Sequence, residues 1–216
     1  MNHDMIGAVL AGGRGHRIGG DKPSLEVGDK TLVRYAVDAL RSVGLEVALV
    51  LRPDQPAPLT AHTIATVRDE IEDAGPLAGL QALLRWLPVE WAVVVACDQP
   101  FLAPPLLRGL LAQPRDSADV VLPEGPNGPE PLPGLYRRTC LPDVDAALAR
   151  GERSLRELVA RLRSRQVPLE LVRGWDPDLV SFVNVNTPDD LERARASVAP
   201  FVADGRYPGR APGDRR

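Results

Sequence analysis

Only two cysteines occur in the 216 residues, Cys97 and Cys140, and they sit in unrelated contexts. That scarcity excludes a zinc knuckle and a disulfide framework. No apolar run approaches the length of a membrane span. The apolar start that leads into Gly12 is too short for a signal peptide, so a cytoplasmic protein is expected. Excess charge is also missing: the net value is −3, which leaves no broad basic field for nucleic acid or an anionic membrane. A polyanionic ligand would have to be held by a few placed cations and backbone amides. No internal repeat divides the chain, and its length suits one α/β domain.

Strand and helix patterns alternate along the chain. Apolar runs at Ile6 to Ala11, Val47 to Leu51 and Trp91 to Cys97 read as buried parallel strands, the last at the sheet centre. Thr63 to Val67 is a mixed strand nearer an edge, and Asp119 to Leu122 is another strand. Pro133 and Gly134 demote Leu132 to Tyr136 to an edge or a bulge. Val167 to Val172 and Phe182 to Val185 are read as late strands. Helices are expected from Leu32 to Val43, from Gly75-Pro76 onward, at Leu106 to Leu111, Asp143 to Ala149 and Ser154 to Leu162, and after Thr187. The order predicts an α/β fold: three layers, doubly wound, with a mostly parallel Rossmann-like sheet. Residues 1–199 form the domain, and 200–216, rich in Gly, Pro and Arg, read as a disordered tail. Ligands of such sheets bind at the carboxyl ends of the strands, where the motifs fall.

Leu10 to Lys22 carries a strand into a loop with five glycines. Glycine lets backbone amides approach phosphate oxygens, because no Cβ intervenes. Arg17 and Lys22 can then neutralise a triphosphate and the departing pyrophosphate. The loop lacks the Gly-Lys-Ser/Thr of kinase-like NTPases. It also misses the dinucleotide pattern, its third glycine falling at 19 instead of 18. A flexible surface turn with solvated arginines is the plain alternative. Directly after the most apolar strand comes Cys97-Asp98-Gln99-Pro100. An acid there is costly unless paired or metal-bound, and Mg²⁺ held by one carboxylate plus substrate phosphates is the expected arrangement. A turn or capping aspartate is the alternative, and Cys97 reads as a small core residue.

Asp69, after a strand candidate, could accept hydrogen bonds from a base or ribose, while Gly75-Pro76-Leu77-Ala78-Gly79 reads more simply as a helix start. Asn184 and Asn186 alternate with valine, so both amides are expected on one strand face, to complete a metal shell or orient a phosphate. A turn ahead of a capped helix is the alternative.

Together, in this order, the four segments resemble the molybdenum cofactor guanylyltransferases of the nucleotidyltransferase superfamily. Leu10 to Lys22 matches the family's LAGG-x-x-x-R-M-G-x-x-K with Ile18 for Met, followed by GPLAG at 75–79, CD-x-P-x-L at 97–102 and N-x-NTP-x-DL at 184–191. The resemblance implies that Leu10, Ala11, Gly12, Gly13 and Gly75 contact GTP, that Lys22 binds phosphate and that Asp69 recognises the nucleoside. It implies Mg²⁺ on Asp98, and Asn184 and Asn186 where the molybdopterin phosphate meets the nucleotide, with Arg17, Lys22 and Asp98 as the catalytic set. The implied reaction joins GMP from GTP to the terminal phosphate of molybdenum-molybdopterin. Molybdoenzyme-maturation proteins would be further partners. Two positions depart from the pattern: the Pro-rich run Gly128 to Gly134, and the apolar Val50 and Leu51 where the family has a polar residue.

A sister enzyme using CTP, or another phosphorylated acceptor, is the nearest alternative; Leu10-Ala11-Gly12-Gly13 and GPLAG favour GTP. An NAD-dependent oxidoreductase would need an acid ending the second strand, where this chain has Leu51-Arg52-Pro53. A non-catalytic nucleotide sensor would be expected to lose Asp98 or Lys22.

Overall fold

The computed structural model describes residues 5–13, 18, 21–58, 64–71 and 75–203. Its sheet comprises β1 (Met5–Leu10), β4 (Val47–Leu51), β5 (Ala65–Arg68), β6 (Trp91–Ala96), β7 (Val120–Gly125), β8 (Gly128–Pro129), β9 (Gly134–Arg137) and β10 (Ser164–Val167). The path is β10-β7-β9-β6-β1-β4-β5, with β8 hydrogen-bonded to β7. Neighbours are parallel except where β9 meets β6 and β7 and where β8 meets β7. A separate hairpin joins β2 (Glu26–Val27) to β3 (Lys30–Thr31).

Side chains alternate across a strand, and two cores follow from that alternation. Trp91, Val93 and Val95 of β6 pack with α1 (Leu32–Ser42), α3 (Pro104–Leu111) and α6 (Leu169–Trp175). Ala92 and Val94 pack on the other face with α2 (Gly75–Trp86), α4 (Leu141–Ala149) and α5 (Leu155–Val159). The result is the expected three-layer α/β fold, with β6 at the middle of the path. A third cluster seats Leu191, Ala194 and Val198 of α7 (Pro188–Ala203) on Val27, Leu32 and Tyr35. The last helix therefore runs past the boundary expected at 199, and residues 204–216 lie outside the described residues. No helix among the described residues is long and apolar enough to cross a membrane.

Three sequence expectations are corrected. β9 is an interior strand, not an edge: Pro133 precedes the ladder, so its missing N–H costs no sheet bond, and Gly134 pairs with Val94. The late strand ends at Val167, where the expectation began it. Pro168 stops the ladder, and Leu169 and Val172 then face the core at helical spacing in α6. Phe182 to Val185 is no strand. The Asp176 carboxylate takes the amides of Val180 and Ser181 at 3.1 and 2.9 Å, winding Val180–Phe182 into a 3-10 turn followed by extended chain.

Candidate active site

Parallel pairing sets the strand ends level. Leu10 is in register with both Val50 and Ala96, and Leu51 with Arg68, so the chain leaves β1, β4, β5 and β6 on one side of the sheet. The antiparallel β9 enters from that same side, bringing residues 130–132 with it. Between these ends lies a cleft of about 780 Å³. Leu10, Gly12, Gly13, Lys22, Asp69, Gly75, Asp98, Asn184 and Asn186 all line it. Segments more than 170 positions apart thus share one cavity.

At its centre the Lys22 ammonium donates to Asp98 Oδ2 and to Asn186 Oδ1, both at 2.7 Å. Lys22 is only 8% exposed, and a buried ammonium is tolerated because it is paired and hydrogen-bonded. Backbone contacts fix the cluster. The Cys97 amide donates to the Leu10 carbonyl at 3.2 Å and the Val185 amide to the Asp98 carbonyl at 2.9 Å. Asp190 receives the Asn186 and Thr187 amides, while the Thr187 hydroxyl accepts the Asp190 amide at 3.1 Å, the expected cap of the last helix.

Asn186 joins the cluster through this cap and not through a strand face. Asn184 donates back to the Phe182 carbonyl at 3.4 Å, so the two amides do not act as a pair. Among the described residues no three His, Cys, Asp or Glu side chains come together. A divalent ion here would rest on the hard oxygens of Asp98 and Asn186, which already converge on one cation, completed by the substrate's own phosphates.

Asp69 lines the far end of the cleft, 7% exposed, with Oδ1 buried and without a hydrogen bond. Burial pushes its carboxyl above the usual range; the Arg52 guanidinium acts against this and Asp54 with it. An acid left so short of donors is arranged to receive them from a ligand. Gly75 has φ +67°, and a Cβ there would lie 3.2 Å from the Arg153 carbonyl, so the start of α2 requires glycine. Burial pushes the Cys97 thiol far up, with the neighbouring Asp98 adding to it, which keeps it a neutral core group.

One of the sequence-derived positions is not in the cleft wall. Ala11 is fully buried, its amide given to Val50 and its carbonyl to Gln55, so its polar groups are spent inside the protein. Arg17 lies outside the described residues, as do Arg14 and His16. The cleft also has members that the sequence reading passed over. Arg52 Nη1 donates to the Gly12 carbonyl at 2.8 Å. Gln99 Nε2 donates to the Leu132 carbonyl at 3.1 Å, leaving Oε1 buried and unpartnered. Arg156 pairs with Glu130 at 2.8 Å on the opposite wall, next to Arg153 and Ser154. For Arg153, Ser154 and Arg156 the sequence offered only a helix start at Ser154, where the structure places a cap: the Ser154 hydroxyl accepts the Glu157 amide at 3.4 Å.

The chain is similar to known proteins in sequence and in fold. The family model described as "MobA-like NTP transferase domain" matches residues 7–167. The molybdenum cofactor guanylyltransferase of Desulfosudis oleivorans is 33% identical over 195 residues, 90% of this chain and 96% of the relative. A probable molybdenum cofactor guanylyltransferase of Pelotomaculum thermopropionicum is 32% identical, over 88% of this chain and 91% of its own. The crystal structure of molybdopterin-guanine dinucleotide biosynthesis protein A from Archaeoglobus fulgidus superimposes with a TM-score of 0.78 at 30% identity, covering 90% of this chain and 98% of that one.

Proposed function

This chain belongs to the MobA-like NTP transferase family, and on that premise we propose that it transfers GMP from GTP to the terminal phosphate of molybdenum-molybdopterin, releasing pyrophosphate. The observation that carries the reading is the meeting of Lys22, Asp98 and Asn186 beside the glycine-bearing end of β1, in a cleft whose far end holds an acceptor-rich Asp69.

An oxygen of the acceptor phosphate attacks the α-phosphorus of GTP, forming a new P–O bond. The bond from that phosphorus to the bridging oxygen breaks, and its electron pair leaves with pyrophosphate. The attacking group is already anionic, so the chain need supply no strong base. Its work is positioning and charge neutralisation. Lys22 and the amides of the glycine loop neutralise phosphate oxygens, and Arg17 is assigned the same task on the leaving pyrophosphate. Asp69 offers acceptors to a donor pair such as the N1–H and 2-amino group of guanine. Gly12, Gly13 and Gly75 let the nucleotide lie close against the backbone, and Asn184 and Asn186 border the acceptor phosphate. Asp98 and Asn186 would hold Mg²⁺, which when bound supplies charge neutralisation on the triphosphate. The reading includes a cytoplasmic place of action and molybdoenzyme-maturation proteins as recipients of the product.

The test is incubation of the protein with Mg²⁺, molybdenum-molybdopterin and each of four labelled NTPs. Pyrophosphate release with GTP is expected. Release only with CTP, or with none of the four, would overturn the proposal.

A further inference from the structure

We propose that Gln55 is a positioning residue that ties together the two ends of the glycine-rich phosphate loop; this rests on the nucleotide-transfer reading above. Gln55 lies in the Pro-rich turn after β4 and is only 2% exposed. Its Nε2 donates to the Ala11 carbonyl at 3.0 Å and to Asp21 Oδ1 at 3.1 Å, and its Oε1 accepts the Arg52 amide at 3.3 Å. A primary amide has two N–H bonds and one carbonyl, so every polar group of this side chain is engaged. Flipping the amide would set Oε1 against a carbonyl and a carboxylate, which fixes the orientation.

The two acceptors flank the loop. Ala11 is where the chain enters it from β1, and Asp21 is where the chain leaves it, one residue before Lys22. Asp21 is held from its other side by the Ser24 hydroxyl at 2.7 Å. The turn that carries Gln55 is itself braced, because Arg68 Nη1 donates to the carbonyls of Arg52, Pro53 and Gln55 at 2.7, 3.1 and 2.9 Å. Arg52 then reaches the Gly12 carbonyl from the same turn. Holding backbone that contains glycine in one conformation against a ligand costs entropy. Fixing Ala11 and Asp21 in place beforehand lowers that cost, so the benefit is read as nucleotide affinity. It is not a matter of filling space, which an apolar side chain of similar size would do equally well.

The experiment compares the wild-type chain with Gln55→Met, Gln55→Glu and the double variant Gln55→Glu/Asp21→Asn. Equilibrium GTP binding is measured without acceptor, steady-state transfer with it, and amide hydrogen exchange on the unliganded proteins. Gln55→Met is expected to bind GTP about 10- to 30-fold more weakly, because two of its three lost hydrogen bonds held the loop ends, one of them to a carboxylate. KM for GTP should rise in proportion, with kcat changed by less than about threefold. Exchange should quicken at Ala11, Gly12, Gly13 and Asp21 while β6 stays protected. Gln55→Glu, which sets a carboxylate against Asp21, should bind more weakly still, and adding Asp21→Asn should recover part of the loss.

Unchanged affinity and exchange in Gln55→Met would overturn the proposal. So would a double variant no better than Gln55→Glu, or a general loss of protection with a lowered Tm, which would make Gln55 an ordinary core residue. A wild-type protein that binds no GTP would overturn the transfer reading and this proposal together, and that result is read on the wild type alone.

Discussion

Lys22 donates to the carboxylate of Asp98 at 2.7 Å across 76 positions of sequence. The first lies just after a glycine loop and the second just beyond the central strand, and the parallel register of β1 with β6 sets Leu10, before that loop, level with Ala96, two residues before Asp98. The pair accounts for two facts at once. A lysine can be buried here because its charge is matched, and an acid can end the most apolar strand because a cation faces it.

Asp98→Asn should lower GMP transfer about a hundredfold or more, since the negative oxygen is lost while shape is kept. Asp98→Asn and Asp98→Ala should both unfold more easily, by about 1–3 kcal/mol, because each removes the counter-charge of a buried ammonium, and Asp98→Ala should lose more since no acceptor remains for it. Transfer assays and denaturant midpoints on both variants check this, and activity retained by Asp98→Asn would mean that the metal is held elsewhere.

Asp69→Asn should raise the stability of the unliganded protein at pH 7 while weakening GTP binding. Burial raises the Asp69 pKa in the fold, so ionising it there is harder than in the unfolded chain. Its contribution to folding is therefore fully present below the ordinary value, about 3.9, and is lost as pH rises through the raised folded value. The stability gain of the amide should be visible at pH 7 and shrink toward pH 4. A Tm series over that interval is the measurement, and an equal gain at both ends would contradict it.

Asp190→Ala should cost about 0.5–2 kcal/mol at neutral pH through loss of the α7 cap. The Arg193 guanidinium, then the Thr187 side chain and the Asn186 amide, hold the Asp190 carboxyl far below the usual carboxylate range. Its stabilisation is complete above the ordinary value and is lost as pH falls through the depressed one. The gap between wild type and variant should accordingly narrow only below about pH 4. Urea unfolding at pH 7 and pH 3 tests the sign.

Asp176→Ala should loosen the turn that presents Asn184 and Asn186. Two amide bonds to a carboxylate 3% exposed are lost, and the Ser181 hydroxyl that accepts the Ala103 amide at 2.9 Å shifts with them. A loss of about 2–3 kcal/mol is expected. In transfer assays the KM for the molybdopterin acceptor should rise more than that for GTP. An equal rise in both would place the loop's effect on the nucleotide.

Gly134→Ala should destabilise by about 1–3 kcal/mol, because the new Cβ would stand 2.6 Å from the Pro131 carbonyl. Since Pro131 and Leu132 form cleft wall, the substitution should also alter acceptor binding. Chemical denaturation together with acceptor titration measures both effects.

Much of the fold was legible in the sequence because buried parallel strands are continuous apolar runs. Trp91 to Cys97 could be set at the sheet centre on that ground alone. The misreadings share a cause. Leu132 to Tyr136 looked like an edge because Pro133 was weighed without knowing that the ladder begins after it. Phe182 to Val185 looked like a strand because its alternation is real, yet Asp176 diverts the preceding amides and Val185 spends its own on Asp98.

From the ordered motifs alone Gly12, Gly13, Lys22, Asp69, Asp98 and Asn186 were expected to serve one nucleotide chemistry, because close backbone approach, neutralised phosphate and an acid at a strand end each require particular residue types. Only the tertiary structure decided which of them touch. It joined Asn186 and not Asn184 to Lys22, turned Ala11 inward, and brought Arg52 and Gln55 from a proline-rich turn to the two ends of the phosphate loop. Contacts of that kind carry no local pattern. They arise from strand register and from where each buried polar group finds its partner, and both are settled only when the whole sheet has formed.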